Sequence, residues 1–359
     1  MTQRTILISA LVAFTIASAI SGQDIDPSNR YRDAYKQYLQ STCPLQQDSI
    51  KHFVYFSADR ELIHDHPFLE ITRFSGAQIM YSWKRLEPER GKYDFSIIRE
   101  DYNYLLSHGK KLFIQLQDVT FDTMYRAVPD YLLTEEFDGG CVKSYNDDSV
   151  ADGWVAKRWN VQVRERFAML LQALGKEFDG NIEGINLQES AVGVREDTDT
   201  SFTPQRYFEC LKLNMLALKK AFPKSTTMQY ANFMPGEWLP WEDKGYLRSI
   251  YKYGQEIGVG LGAPDLMVQR KSQLNHTIAM MHEGHFTVPL GIAIQDGNYS
   301  GTTGADSDYN DRMEKDKSGH KNIVPLMHAF AKDFIHVKYM FWVCQEPFFS
   351  DDVIPCLME

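Results

Sequence analysis

The feature that most constrains this chain is a regular alternation of short apolar runs with amphipathic helical stretches, from His52 to the C-terminus. The runs are Phe53–Phe56, Ala77–Tyr81, Lys111–Gln115, Ile182–Leu187, Thr227–Tyr230, Gly258–Leu261, Pro289–Ile294 and Tyr339–Val343. Several are almost continuously hydrophobic, as strands must be when both faces of their sheet are covered. Between them, Asp94 is placed to cap a helix with the apolar face Phe95, Ile98, Tyr102, Leu105 and Leu106, ended by Gly109. Asn160 caps a second helix, with Val163, Phe167, Leu170, Leu171, Leu174 and Phe178 inward. Thr203-Pro204 opens a third, where the missing proline N–H costs nothing. The pattern predicts an α/β fold, a (β/α)8 TIM barrel built as a single domain with elaborated βα loops. The alternative is a doubly wound open sheet, but no Gly-rich phosphate turn follows any of the runs.

The 359 residues divide into three parts. Residues 1–22 read as a secretory signal: Arg4, the apolar run Ile6 to Ile16, then small residues around Ala17-Ser18-Ala19 and Ser21-Gly22. Residues 23–50 read as an N-terminal extension and 51–359 as the barrel. The expected location is secreted or periplasmic, with the signal removed. No run reaches the roughly 18 apolar residues of a membrane span, so membrane insertion is not expected. A net charge of −10 makes nucleic acid and anionic membrane surfaces poor partners. Oligomeric state is not legible. The five cysteines contain no Cys-x-x-Cys pair, and Cys344 with Cys356 is the candidate disulfide of the C-terminal tail.

The eight strand ends are where a barrel carries its chemistry. In Gly184-Ile185-Asn186-Leu187-Gln188-Glu189-Ser190, an apolar strand ends in a carboxylate, making Glu189 the first candidate catalytic group. Asp118, Asp265, Asp296 and Glu346 follow other strands, and a glycosidase needs two carboxyl groups across a sugar-sized gap. Gln117, Asn186, Gln188, Asn232, Gln295, Asn298 and Gln345 add amides that suit sugar hydroxyls. Tyr81, Trp83, Trp154, Trp159, Trp238, Trp241, Tyr299 and Trp342 add rings on which the C–H faces of a pyranose can stack. His64 and His66 beside Asp65, and His282 and His285 near Glu283, do not follow a His-Glu-x-x-His pattern, so neither a metal nor any other cofactor is expected. No Gly-x-Ser-x-Gly elbow is present. Asn275-His276-Thr277 and Asn298-Tyr299-Ser300 match the glycosylation acceptor pattern.

The segment Tyr81-Ser82-Trp83-Lys84-Arg85-Leu86-Glu87-Pro88-Glu89-Arg90-Gly91-Lys92-Tyr93-Asp94-Phe95 resembles the second-strand region of the retaining (β/α)8 glycoside hydrolase clan, the four/seven superfamily. The resemblance implies a glycosidase acting on a β-linked poly- or oligosaccharide. It implies Glu189 as acid/base, Asp296 at the end of the seventh strand as nucleophile with Glu346 the second choice, and Trp342 under the sugar. Tyr81, Trp83, Gln117, Asp118, Asn186, Gln188, Asn232, Asp265, Gln295 and Tyr299 are the remaining substrate-binding candidates. Two positions depart from the clan pattern: Gln188 stands where Asn precedes the acid/base, and the seventh strand ends in Asp rather than Glu. Two other readings stay open, a carbohydrate-binding barrel without turnover and a barrel hydrolase or lyase on another substrate.

Overall fold

The computed structural model describes residues 26–299 and 321–358. Eight parallel strands form a closed barrel: β1 (Lys51–Tyr55), β2 (Phe74–Ser82), β3 (Lys111–Gln117), β7 (Gly184–Leu187), β8 (Thr226–Tyr230), β9 (Gly260–Ala263), β10 (Leu290–Ile294) and β11 (Tyr339–Val343). Closure comes from β11 pairing back onto β1, Phe53 opposite Phe341 and Val54 opposite Trp342. The α/β barrel expected from the alternation is therefore the observed fold. The long segment after β3 carries its own antiparallel sheet, in which β6 (Ala151–Ala156) lies between β4 (Val119–Thr120) and β5 (Cys141–Tyr145). Helices Ser96–Ser107, Val161–Phe178, Pro204–Ala221 and Tyr246–Ile257 pack outside the barrel wall.

Boundaries moved where caps decided them. The sixth barrel strand begins at Gly260, not Gly258, because Gly258 ends the preceding helix at φ 76°. The first predicted helix starts at Ser96, with the Asp94 carboxylate accepting from the Ser96 N–H at 3.0 Å.

Alternate residues of each strand fill the barrel. Phe53, Phe113 and Phe341 meet inside, with ring centroids 5.0–5.8 Å apart. Above them Gln78 donates to the Asn186 carbonyl oxygen at 2.9 Å and to the Tyr230 hydroxyl at 3.0 Å. These inward bulky groups fit because other strands contribute no side chain at the same level. A Cβ on Gly184 would lie 2.7 Å from the Phe113 ring, and one on Gly291 2.7 Å from the Met228 methyl. Parity then assigns the neighbours: Tyr55 points inward at the mouth, while His52 and Trp342 point out of the wall toward the helices.

The residues before β1 are tied to the far end of the chain. The Asn275 amide donates to the Ser28 carbonyl, Arg30 pairs with Glu283, and the Leu45 N–H bonds the Cys356 carbonyl. The disulfide joins Cys43 to Cys356, correcting the expected Cys344–Cys356 pair. Cys344 instead faces the His66 ring at 3.3 Å, because its position just past β11 turns it toward the first βα loop. The bridge spans 313 residues, so breaking it releases a large loop in the unfolded chain. A Cys43→Ser/Cys356→Ser variant should lose about 2–5 kcal/mol of stability, measured by urea unfolding under non-reducing conditions. Equal midpoints would show the bridge to be without thermodynamic weight.

Neither predicted glycosylation acceptor offers a free amide. Asn275 is buried, donating to the Ser28 and Lys271 carbonyls. Asn298 is buried as well, its side chain bonded to Leu266, Gln295 and Asp265. The expected signal segment lies outside the described residues, as do residues 300–318 of Gly297–Ser318, a stretch whose Gly, Ser, Asp and Asn content marks it in the sequence as one of the elaborated loops. Among the described residues, no helix is long and apolar enough to cross a membrane.

Candidate active site at the barrel mouth

Glu189 lies two residues beyond β7, at the mouth of the barrel. Its backbone is fixed from below by a buried cation. Arg158 makes two hydrogen bonds to the Asp118 carboxylate, at 2.8 and 2.7 Å, and donates to the Glu189 carbonyl at 2.9 Å and the Tyr207 hydroxyl at 2.8 Å. The Tyr207 hydroxyl in turn donates a hydrogen bond to the Ser190 carbonyl at 2.9 Å. Two successive carbonyls of the loop are thus pinned by one network. The Glu189 carboxylate accepts from the Asn232 amide at 2.6 Å, and the Asn232 carbonyl oxygen in turn accepts from the Ala191 N–H. Asn232 therefore orients the carboxylate rather than facing solvent.

Burial pushes the Glu189 pKa up to about 7, and the nearby Asp265 charge adds to the rise. The Asn232 hydrogen bond and the Arg158 charge oppose it without cancelling it. The carboxyl is therefore a proton donor near neutral pH, as a general acid must be. Asp265, two residues beyond β9, is itself raised by burial, and it accepts from the Asn298 amide at 3.2 Å. Asp296, two residues beyond β10, is more exposed; burial and the Asp59 charge raise it. Tyr55 stands among these acids: burial first, then the charges of Asp296, Glu189 and Asp265, push its hydroxyl up to about 12. Three carboxyl groups and one protonated phenol thus converge on the mouth.

A cleft of about 320 Å³ opens beside Glu189. Phe121, Ser144, Tyr145, Asp147 and Asp152 from the segment after β3 form one wall. Phe233, Met234, Pro235 and Trp238 from the loop after β8 form the other.

Several expected contacts are relocated by the structure. Glu346 is exposed, and its carboxylate accepts from the Ser350 N–H and hydroxyl, so it is engaged by the segment after β11. Trp342 is fully buried outside the wall, donating to His52 Nδ1 at 3.0 Å, because its place in β11 has outward parity. It cannot be the floor of a sugar site. Tyr81 has the same outward parity in β2 and donates to Asp101 at 2.7 Å. Trp83 opens the short helix Trp83–Leu86, buried against Phe167 with its N–H on Glu87. Tyr299 is buried, donating to the Val343 carbonyl and stacked on Phe348. Asp118 is consumed by Arg158, and Asn186 is wholly buried below the mouth, so neither reaches a substrate. Gln188 is buried with its amide on the Met80 sulfur, while Gln117 and Gln295 are half-buried at strand tips.

Tyr55, Arg158 and Tyr207 were not among the expected site residues. Tyr55 could have been found by inward parity at the end of the first strand. Arg158 and Tyr207 carry no spacing signal, since both reach the site from elements far from it in sequence.

Among the described residues, Asp48, His52 and His328 form a buried group whose ligand atoms lie within 4.8 Å of one another. The Trp342 N–H directed at His52 Nδ1 puts the lone pair there and the proton on Nε2, the atom 3.9 Å from Asp48. That tautomer cannot ligate a cation between them. Asp48 is already engaged by His328 and Arg73, and the group is a buried polar joint.

No family model matches the chain, and no curated protein matches it. Solved structures with similar coordinates include xylanase 10B from Thermotoga petrophila, 11% identical over 87% of this chain and 85% of that one, with a TM-score of 0.46. Endo-glycoceramidase II from Rhodococcus sp. is 10% identical over 84% of this chain and 75% of that one, at 0.46. A family 39 glycoside hydrolase from Bacteroides cellulosilyticus is 12% identical over 82% of this chain, at 0.43, and the chain spans 56% of its length.

Proposed function

We propose that this chain hydrolyses glycosidic bonds in an oligo- or polysaccharide, with Glu189 as general acid/base and Asp265 as the second carboxylate. One observation carries the reading: Glu189 is a half-buried carboxyl, pushed up to about 7 by desolvation, lining an open cleft and within the field of a second acid. A proton held on Glu189 near neutral pH can pass to the leaving glycosidic oxygen. Positive charge then developing at the anomeric carbon is stabilised by the ionised Asp265. Once the leaving group has gone, Glu189 is a carboxylate and takes a proton from the incoming water as the water oxygen bonds to the anomeric carbon. Tyr55 keeps its proton throughout, so it donates to whichever neighbouring oxygen is most negative. Asp296, the nucleophile expected from the sequence, sits further toward solvent and is assigned to a sugar hydroxyl. The β-linkage follows from the clan resemblance and is part of the proposal. Export is proposed too; the leader-like N-terminus and the Cys43–Cys356 bridge support it.

The test is hydrolysis of a panel of β-linked polysaccharides and aryl glycosides as a function of pH. The wild-type kcat/KM should fall as pH rises through about 7, the pH at which Glu189 loses its proton. Asp265→Asn should cut turnover by several orders of magnitude. Because the Asp265 charge raises the Glu189 pKa, any residual activity should show its basic limb at lower pH. Near-normal turnover in Asp265→Asn with a dead Asp296→Asn would transfer the role to Asp296. Saturable binding of a glycan with no product from the wild type would favour the binding-protein reading.

A further inference from the structure

Most of the aromatic residues singled out in the sequence are buried in packing, but two stand in the open. Trp238 is 47% exposed and Trp241 55%, both on the loop after β8. Their ring planes differ by 11° with centroids 6.5 Å apart, and Phe233 continues the set on the other side of Trp238 at 10° and 6.2 Å. Three near-parallel rings in series are unlike singly scattered surface hydrophobics.

The loop is also held rigid. Trp238 and Glu242 exchange two backbone hydrogen bonds, at 2.9 and 2.7 Å, closing a small hairpin that carries both indoles. The Glu237 carboxylate accepts the N–H groups of Lys244, Tyr246 and Leu247, tying the hairpin to the start of helix Tyr246–Ile257. From the opposite side, His276 accepts the Leu239 N–H through Nε2 and packs against Trp238, the rings tilted by 52° with centroids 5.1 Å apart. The polar groups of the loop named here serve its shape, and Lys271 lies over one side of the Trp241 ring at 5.5 Å, so the exposed parts of the two indoles are what the loop presents. Phe233 and Trp238 line the same cleft as Glu189, and Trp241 lies next to Trp238 beyond that lining. The facing wall offers Phe121, 66% exposed.

We infer that Trp238 and Trp241 form a distal sugar-binding platform holding a saccharide chain that extends from Glu189 along the cleft. The inference rests on the proposed glycosidase reading and narrows its substrate class to chains of several sugar units. The occupant is a glycan because a pyranose has flat C–H faces matching the rings and hydroxyls for the polar groups along the cleft. A continuous cleft leads such a chain to the acid.

The experiment measures binding of xylo-, manno- and cello-oligosaccharides of two to six units by calorimetry. It uses the Glu189→Gln background, in which the chain is not consumed. Affinity should rise with chain length for the correct series. Trp241→Ala should lower the hexasaccharide-to-disaccharide affinity ratio by about tenfold, the size of one good ring contact, and Trp241→Phe should restore most of it. An unchanged ratio in Trp241→Ala overturns the platform, as does failure of all three series to bind. Loss of concentration-dependent self-association in Trp241→Ala, with the ratio unchanged, would assign the rings to a second copy of the chain instead. Retained turnover in Glu189→Gln would sink the glycosidase reading separately, whatever Trp241 does.

Discussion

Glu189→Gln should lower kcat by about 10²–10⁴-fold on any glycan the wild type cleaves with a poor leaving group. Glutamine keeps the carbonyl oxygen that accepts from Asn232, so the loop geometry should survive while the transferable proton is lost. The same variant should be more stable than the wild type, and the sign follows from linkage. A pKa pushed from 4.5 to about 7 means that the folded state disfavours the ionised carboxyl. The penalty is absent below the unfolded pKa, grows as pH rises from about 4.5, and is complete above about 7. At pH 8, Glu189→Gln should therefore gain about 3 kcal/mol, and at pH 4 almost nothing. Urea unfolding at the two pH values, paired with turnover, separates a functional carboxyl from a structural one. A structural Glu would lose stability on substitution, at both pH values, with activity following the folded fraction. Normal turnover on an unactivated glycan would remove Glu189 from the mechanism.

The barrel was legible because the apolar runs and the intervening helices each carry their own periodicity, and closure buries both faces of every strand. The position of Glu189 was legible for the same reason: it follows the fourth apolar run wherever the run begins. Side-chain direction was harder. Trp342 and Tyr81 lie in strands the sequence marks well, yet one residue of parity decides between the mouth and the outer wall. Only long-range pairing sets that parity, as in the opposition of Val54 and Trp342. Whether a strand-end acid is free was not legible at all. Asp118 and Glu189 look equivalent in sequence, but the Asp118 carboxylate meets Arg158 across 40 residues, whereas the Glu189 carboxylate forms no ion pair among the described residues and Arg158 reaches only its backbone carbonyl. The disulfide failed as a reading for a related reason. Proximity in sequence favoured Cys344 for Cys356, while the fold brings Cys43 from the opposite end of the chain.

The Asp118–Arg158 pair sets the second large effect. Both side chains are almost wholly buried, and Arg158 is the donor that holds the Glu189 carbonyl. Asp118→Ala strands a guanidinium in the protein interior and should cost about 3–5 kcal/mol, a large part of an ordinary domain's stability. Removing both charges is a different experiment. In Asp118→Leu/Arg158→Met no charge is left unpaired, so most of that stability should return. Function should not return with it. The Glu189 and Tyr207 oxygens lose their donor, and the positive charge that lowers the Glu189 pKa is gone. The basic limb of the pH–rate profile should therefore move to higher pH, opposite to the shift expected for Asp265→Asn. Unfolding curves would report the first effect and pH–rate profiles the second. A fully stable Asp118→Ala would mean that the cation finds water or another acid. An unmoved limb in the double variant would mean that Arg158 supports the fold without tuning the acid. A limb that moves only in the double variant, in a protein as stable as the wild type, would mark Arg158 as the residue that both positions Glu189 and sets the pH at which it holds its proton.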